Sequence, residues 1–139
     1  MSPRPQDAAP RHRVLIVDDE ESTRLLIARL LTRGMKLEAQ LAGTCEQALR
    51  LARNYAYDAI LLDLLMPGIG GLELLRSIRR GSANMTTPVL VVSMLADAQT
   101  IERCRAAGAD AHLAKPVEGH RLLAAVKKLL AARGKSRIS

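Results

Sequence analysis

Short apolar runs alternate along this chain with stretches of helical periodicity, and this alternation limits its fold more than any other feature. The apolar runs occupy residues 14–17, 37–41, 59–62, 88–92 and 109–114. Continuous runs of this length are typical of parallel strands that are covered on both faces. Between them, apolar residues recur at the three- and four-residue spacing of amphipathic helices. The order predicts an α/β fold, a doubly wound parallel sheet of five strand–helix units.

Local signals mark where the expected helices begin and end. Thr44, followed three residues later by Gln47, is a capping box that predicts the start of the second helix. Arg79 and Arg80 form the basic end of the third helix. A fourth is expected over residues 97–107, closed by glycine, and a fifth over residues 118–132, closed by Gly134. The stripe that we expect the first helix to bury comprises Thr23, Leu26, Ile27, Leu30 and Leu31.

The composition predicts one domain with an aliphatic core. Hydrophobic residues make up 48% of the 139 positions, whereas aromatic residues make up 1%. A chain of this length is typical of a single domain, and so few aromatic rings argue against a site that stacks nucleic-acid bases. We expect the domain at residues 13–132, with a flexible N-terminal tail at 1–12 and a basic C-terminal tail at 133–139.

Cysteine usage and hydropathy indicate a cytoplasmic protein. Cys45 and Cys104 are the two cysteines, too few for a metal cluster and typical of reduced, structural thiols. The polar, proline-rich N-terminus has no apolar segment of the kind found in signal peptides, and no apolar run reaches the length of a membrane span.

The net charge of +7 is concentrated toward the chain ends, because the segments 1–12 and 133–139 carry more than half of the excess. Solvated basic tails explain this distribution most simply. The alternative is a weak contact with a nucleic-acid phosphate backbone.

Polar side chains follow four of the predicted strands directly. They are Asp18 and Asp19 after the first strand, Asp63 after the third, Ser93 after the fourth and Lys115 after the fifth. Ligands of open parallel sheets bind at the carboxyl ends of the strands, so these groups are expected on one rim.

Three clustered carboxylates repel one another and require a counter-charge. Hard oxygen ligands favour Mg²⁺, and a lysine beside such a site indicates an anionic ligand, most simply a phosphoryl group. One carboxylate could then act as a nucleophile and form an acyl phosphate.

The segments 14–20 (VLIVDDE), 61–68 (LLDLLMPG) and 108–116 (GADAHLAKP), together with Gly71 and Ser93, resemble the receiver domain of two-component response regulators. The resemblance covers about residues 13–132, with every motif in order. It implies a flavodoxin-like fold with strand order 2-1-3-4-5, the sheet order of chemotaxis receivers.

The resemblance also implies a role for each carboxylate. Asp63 would be the phosphoacceptor. Mg²⁺ would be bound by Asp19, by Asp63 and by the backbone carbonyl of Leu65, with Asp18 acting partly through water.

Further roles follow from the same resemblance. Lys115 would bind phosphoryl oxygens, its peptide bond to Pro116 would be cis, and Ser93 would move toward the phosphoryl group. His112 stands where the family usually has an aromatic residue that turns inward. Met94 replaces the usual small residue, and we expect it to cover the pocket and slow the entry of phosphodonors.

Each of these residues also has a purely structural interpretation. The two N-terminal aspartates could cap the first helix. Ser93 could be an ordinary strand-end hydroxyl, Lys115 a surface lysine, and His112 a half-exposed ring at the sheet edge. Leu25 could help to dock a kinase helix or be an ordinary exposed leucine.

The sequence therefore predicts a stand-alone receiver, a signalling protein rather than an enzyme. A histidine kinase or histidine phosphotransfer protein would donate its phosphoryl group, and a downstream protein would bind the face of the fourth helix, fifth strand and fifth helix. Two alternatives stay open: an adaptor that keeps the fold without phosphorylation, and a nucleic-acid binder that uses the basic tails.

Overall fold

The computed structural model describes the backbone of residues 12–138 and the side chains of residues 12–132. Strands and helices alternate in the order β1 (His12–Val17), α1 (Glu21–Gly34), β2 (Leu37–Ala42), α2 (Cys45–Asn54), β3 (Ala59–Leu62), α3 (Gly70–Gly81), β4 (Val89–Ser93), α4 (Ala98–Ala107), β5 (Ala111–Ala114) and α5 (Gly119–Ile138). Residues 1–11 of the expected N-terminal tail, and residue 139, lie outside the described residues.

The strands form one parallel sheet in the order β2-β1-β3-β4-β5, which confirms the predicted fold class and strand order. The registers place the strand ends side by side. Val17 pairs with Leu62 across β1 and β3, and Ser93 pairs with Ala114 across β4 and β5. The residues that directly follow these pairs therefore meet at one edge of the sheet.

The hydrophobic core has two layers, one on each face of the sheet. Leu15 and Ile60 pack toward α2, α3 and α4, whereas Val14 and Leu61 pack toward α1 and α5. All four side chains are buried, so β1 and β3 are covered on both faces, as their continuous apolar runs predict. Among the described helices, none combines the length and hydrophobicity needed to span a bilayer.

The predicted start of α2 is confirmed. Thr44 Oγ1 accepts a hydrogen bond from the Gln47 backbone N–H at 3.1 Å, and Gln47 Oε1 accepts one from the Gly43 N–H at 3.0 Å. In this capping box the Gln47 side chain binds the N–H of Gly43, the residue before the N-cap. This hydrogen bond anchors the β2–α2 loop. Gly108 ends α4 with φ +114°, the left-handed conformation that glycine tolerates best.

Two details of the helices differ from the sequence prediction. Leu26 is 46% exposed, because the sheet covers a narrow stripe of α1 that is centred on Ile27 and Leu31. The helix α5 does not stop at Gly134 but continues to Ile138, so most of the segment expected as a tail is helical. A glycine inside a helix costs about 1 kcal/mol relative to alanine and does not by itself end the helix.

Candidate functional site

Two buried carboxylates stand at the carboxyl ends of the central strands. The backbone N–H of Asp18 donates to Ala42 O at 3.1 Å, and that of Asp63 donates to Val17 O at 3.0 Å. The sheet ladder therefore extends one residue beyond each strand and fixes both backbones. The side chains of Asp18 and Asp63 are almost fully buried, so both carboxylates need partners within the protein.

Lys115 supplies the counter-charge. Its Nζ donates to Asp18 Oδ2 at 2.7 Å and to Asp63 Oδ2 at 3.2 Å. Burial alone would lower the pKa of Lys115, but the hydrogen bond to Asp18 and the negative charge of Asp63 outweigh burial and raise the pKa above its ordinary value. The lysine therefore remains an ammonium ion at physiological pH, and its peptide bond to Pro116 is cis.

Backbone N–H groups bind the other oxygens of these carboxylates. Asp18 Oδ1 accepts from Glu20 N at 2.9 Å, and Asp63 Oδ1 accepts from Leu65 N at 3.2 Å. Asp19 differs from both, because its side chain is exposed and makes no hydrogen bond or ion pair with the part of the chain that the structure describes.

The three aspartates fit a divalent cation. One carboxylate oxygen from each of Asp18, Asp19 and Asp63 lies within 4.8 Å of the others. Three carboxylates and one ammonium leave an excess of negative charge, and an all-oxygen donor set matches the preference of Mg²⁺. The same cluster could not bind a soft metal well, because it offers neither thiolate nor imidazole.

Ser93 is fully buried at the end of β4. Its Oγ accepts a hydrogen bond from Leu95 N at 3.2 Å, which fixes the oxygen and leaves the hydroxyl proton for another acceptor. The Ser93 carbonyl oxygen accepts a hydrogen bond from the Lys115 backbone N–H at 3.0 Å, whereas the Ser93 hydroxyl makes none with Asp63 or Lys115 within the described residues. The structure thus places it on the same rim, one strand away from the carboxylates.

His112 and Met94, the two departures from the family pattern, differ in burial. His112 is partly buried on β5, opposite Val91, and its Nε2 is buried without a hydrogen-bond partner in the described region. It borders a cavity of about 130 Å³ between α4 and β5, which Ile101 and Cys104 also line. Met94 is 73% exposed, so most of its side chain extends into solvent.

Two residues contribute to the site in ways that the sequence did not reveal. Gly71, in the first turn of α3, lies so close to the Asp63 backbone that a side chain would not fit. Arg24 reaches back from α1 and donates from Nη1 to the Asp18 carbonyl oxygen at 2.8 Å. Gly71 belongs to the pattern that carries the family resemblance, and Arg24 stands six residues after Asp18, but neither signal identifies the backbone atom that is contacted.

Comparison with known proteins identifies the class. A family model of the response regulator receiver domain matches residues 14–127. The sensory/regulatory protein RpfC of Xanthomonas campestris is 39% identical over 113 residues, which are 80% of this chain and 15% of that protein. The response regulator ArlR of Staphylococcus saprophyticus is 33% identical over 119 residues, which are 85% of this chain and 52% of that protein. The chain thus spans about half, or less, of these curated relatives.

Solved structures agree with this result. The receiver domain protein (CheY-like) from Methanospirillum hungatei superposes with a TM-score of 0.85 and 27% identity, and the match covers 91% of this chain and 99% of that chain. The chain belongs to the response regulator receiver domain family of two-component signalling. Phosphorylation and Mg²⁺ binding at an acidic pocket are general features of this family, whose members interact with histidine kinases or phosphotransfer proteins.

Proposed function

We propose that this chain accepts a phosphoryl group on Asp63 from a histidine kinase or a histidine phosphotransfer protein. The observation that carries this proposal is the contact of one ammonium, Lys115 Nζ, with the carboxylates of both Asp18 and Asp63 at the rim of the sheet. A buried carboxylate held beside both a cation and a cluster of oxygen ligands is equipped to bind a phosphoryl group.

In the transfer step, a carboxylate oxygen of Asp63 attacks the phosphorus of a phosphohistidine. An O–P bond forms and the P–N bond breaks, while the imidazole nitrogen keeps the bonding electron pair and takes up a proton. Mg²⁺ bound by Asp18, Asp19, Asp63 and the Leu65 carbonyl would neutralise the charge that develops on the phosphoryl oxygens. The protein contributes mainly positioning and electrostatic stabilisation.

Two further side chains would respond to the phosphoryl group. Lys115 exchanges its contact with the Asp63 carboxylate for a contact with a phosphoryl oxygen. Ser93 donates its free hydroxyl proton to another, which draws the following residues, Met94 and Leu95, toward the site. The added charge thereby biases the β4–α4 loop and the face of α4, β5 and α5, including His112, between two arrangements.

The output that we propose is phosphorylation-dependent binding of a downstream protein, or relay of the phosphoryl group to another histidine. The receiver unit would comprise residues 13–132, and residues 133–139 would add a basic segment. The protein would act in signalling in the cytoplasm rather than as a metabolic enzyme.

Two adjacent leucines on α1 support docking of the phosphodonor protein. Leu25 and Leu26 are 45% and 46% exposed, and α1 begins next to the carboxylate cluster. An apolar pair beside a charged site suits a helix that presents a phosphohistidine. The double variant L25D/L26D should slow transfer from the cognate phosphodonor protein more than tenfold, without slowing phosphorylation by a small phosphodonor.

The decisive experiment measures intact mass after incubation with Mg²⁺ and phosphoramidate. We expect one added phosphoryl group, absent when EDTA replaces Mg²⁺ and absent in Asp63→Asn. Asp58→Asn, which changes an aspartate away from the site, serves as the matched control and should still be phosphorylated.

Absence of phosphorylation has two explanations, which Met94→Ala distinguishes. If this variant gains the phosphoryl mass, Met94 covers the pocket and the proposal stands. If wild type and Met94→Ala both stay unmodified, and a panel of phosphorylated phosphotransfer proteins fails as well, the chain is an adaptor that keeps the fold alone.

A further inference from the structure

Arg24 links three segments around the carboxylate cluster. From the second turn of α1, its Nη1 donates to the Asp18 carbonyl oxygen at 2.8 Å. The same guanidinium lies on Gly43 in the β2–α2 loop, where an added Cβ would come within 2.9 Å of Nη1. Gly43 is itself fixed by the bond from its N–H to Gln47 Oε1. The guanidinium therefore lies between the Asp18 carbonyl and a loop that α2 holds in place.

The carbonyl that Arg24 binds belongs to the peptide unit that joins Asp18 to Asp19. The Asp18 N–H is anchored to Ala42 O, and the Asp18 carboxylate is anchored by Lys115 and by the Glu20 N–H. The Asp19 carboxylate has no such partner in the described part of the chain. Its position depends on the orientation of the peptide plane before it, and Arg24 fixes that plane.

We propose that Arg24 is a positioning residue, which orients the Asp18–Asp19 peptide so that the Asp19 carboxylate stays in place for Mg²⁺, with Gly43 as the surface that holds the guanidinium. This inference rests on the proposed function, because it assigns Mg²⁺ to the aspartate cluster. It adds a residue that contacts neither the metal nor the phosphoryl group and acts through a backbone carbonyl.

Arg24 could affect the metal site through its charge or by positioning Asp19, and the two roles predict opposite changes in Mg²⁺ affinity when Arg24 is replaced. A guanidinium near a divalent cation repels it, so removal of the charge alone would strengthen Mg²⁺ binding. Loss of an outer hydrogen bond that orients a metal ligand weakens binding, typically by at least tenfold. The direction of the change in Mg²⁺ affinity therefore separates a positioning residue from a nearby charge.

The test is calorimetric titration of the full chain with Mg²⁺. Arg24→Met should weaken Mg²⁺ binding about tenfold. Arg29→Met removes the same charge from an exposed position of the same helix, and its affinity should stay within about twofold of wild type, because screening by salt weakens exposed charges. Unchanged or tighter binding by Arg24→Met would overturn the inference.

Gly43→Ala provides an independent variant that leaves Arg24 intact. The added methyl group displaces the flexible end of the guanidinium, so Mg²⁺ binding should weaken in the wild-type background. In the Arg24→Met background the same change should have no effect, since no guanidinium remains to be displaced. Equal effects in both backgrounds would show that Gly43 acts without Arg24 and would overturn the coupling.

Two controls keep the result interpretable. Circular dichroism without Mg²⁺ establishes that each variant is folded, and if Arg24→Met is not, Gly43→Ala alone decides the question. If the wild-type chain itself binds no Mg²⁺, the proposed metal site fails and the inference fails with it. If wild type binds Mg²⁺ and both Arg24→Met and Gly43→Ala bind it equally well, the role of Arg24 is refuted while the proposed metal site stands.

Discussion

A Cβ atom on Gly71 would lie 2.3 Å from the carbonyl oxygen of Asp63 and 2.6 Å from the Cα of Leu64. The first turn of α3 is thus in direct contact with the backbone that carries the central carboxylate. The Gly71 N–H also donates to Leu64 O at 3.0 Å, which closes the loop between β3 and α3. The absence of a side chain at Gly71 is therefore a requirement of the site's geometry.

Gly71→Ala should destabilise the chain by about 2–3 kcal/mol, because the methyl group meets backbone atoms that no rotamer change can move. It should also weaken Mg²⁺ binding, since relief of the clash shifts the Asp63 backbone. Urea unfolding and calorimetric titration measure the two effects. Gly81→Ala, at the other end of α3, is the matched control: nothing lies within 4 Å of its added Cβ, so stability should be unchanged or slightly higher. Equal stabilities of the two variants would contradict the close contact.

Lys115→Met should change stability and metal affinity in opposite directions. Without Mg²⁺ the variant leaves Asp18 and Asp63 buried without their counter-ion. We expect the free energy of unfolding to fall by about 2 kcal/mol, less than for a fully buried ion pair because the Lys115 side chain is partly exposed. Mg²⁺ should bind the variant more tightly than wild type, since no ammonium competes for Asp18. Phosphorylation should nevertheless be slower, because a phosphoryl oxygen loses its cation. Urea unfolding with and without Mg²⁺ checks the first two expectations.

The pH dependence of this effect has a definite sign. Because the folded-state pKa of Lys115 is raised, the stability that the lysine contributes is complete below the ordinary lysine pKa and is lost as pH rises through the folded value. The difference between wild type and Lys115→Met should therefore persist throughout the neutral range. Lys127→Met, an exposed change on α5, is the control and should have stability close to wild type. A difference that disappeared near neutral pH would be inconsistent with the raised pKa.

Two apolar side chains beside the site should prolong the lifetime of the phosphoryl group. Leu65 and Leu95 are 52% and 41% exposed, and their backbone N–H groups bind Asp63 and Ser93. They are expected to exclude the attacking water, so L65N/L95N should hydrolyse about tenfold faster, equivalent to about 1.4 kcal/mol in the barrier. Loss of the phosphoryl mass after removal of the donor gives the rate.

Leu26→Asn is the control for that double variant, because Leu26 is similarly exposed on α1. Its hydrolysis rate should match wild type. If wild type hydrolyses rapidly and the double variant hydrolyses no faster, water reaches the acyl phosphate freely past both leucines, and the prediction is wrong.

The sequence predicted the carboxylate cluster because parallel pairing leaves little freedom at the strand ends. The apolar runs of β1 and β3 are buried on both faces, so their register fixes where the next residue falls. Asp18, Asp63 and Lys115 meet for that reason, although the lysine is 97 positions from Asp18 along the chain. The periodicity of the apolar residues and the positions of the strand ends can be read from the sequence, so the meeting of these three residues could be predicted.

Contacts between a side chain and a distant backbone atom were not predictable. The sequence places Arg79 at the basic end of α3, where it would face the helix dipole. In the structure its guanidinium instead donates to Thr87 O at 2.6 Å and to Gly108 O at 2.7 Å, and so joins two loops at the far end of the sheet. Every residue carries a backbone carbonyl, so the sequence does not indicate which carbonyl oxygen an arginine binds. The contacts of Arg79 and Arg24 therefore could not be predicted. The exposure of Leu26 was missed because the width of the buried face depends on packing.

Asn84 lies at the end of the sheet opposite the carboxylates. It is fully buried, and its Nδ2 donates to Ala52 O and Tyr55 O, both at 2.7 Å. Its Oδ1 accepts from Tyr57 N at 2.7 Å and from Thr87 Oγ1 at 2.9 Å. The amide thus satisfies its full hydrogen-bonding capacity inside the core.

Asn84→Ala should destabilise the chain by about 3 kcal/mol, because it removes all four hydrogen bonds of a buried amide and leaves a cavity. Urea unfolding measures the loss. Asn54→Ala removes an exposed amide whose Nδ2 donates to Arg50 O at 2.8 Å, and it should cost less than about 0.5 kcal/mol. Mg²⁺ affinity should be unchanged in both variants, since neither side chain contacts the aspartate cluster. A small effect of Asn84→Ala would mean that other groups take over its partners, and a weaker Mg²⁺ affinity would show that the two ends of the sheet are coupled.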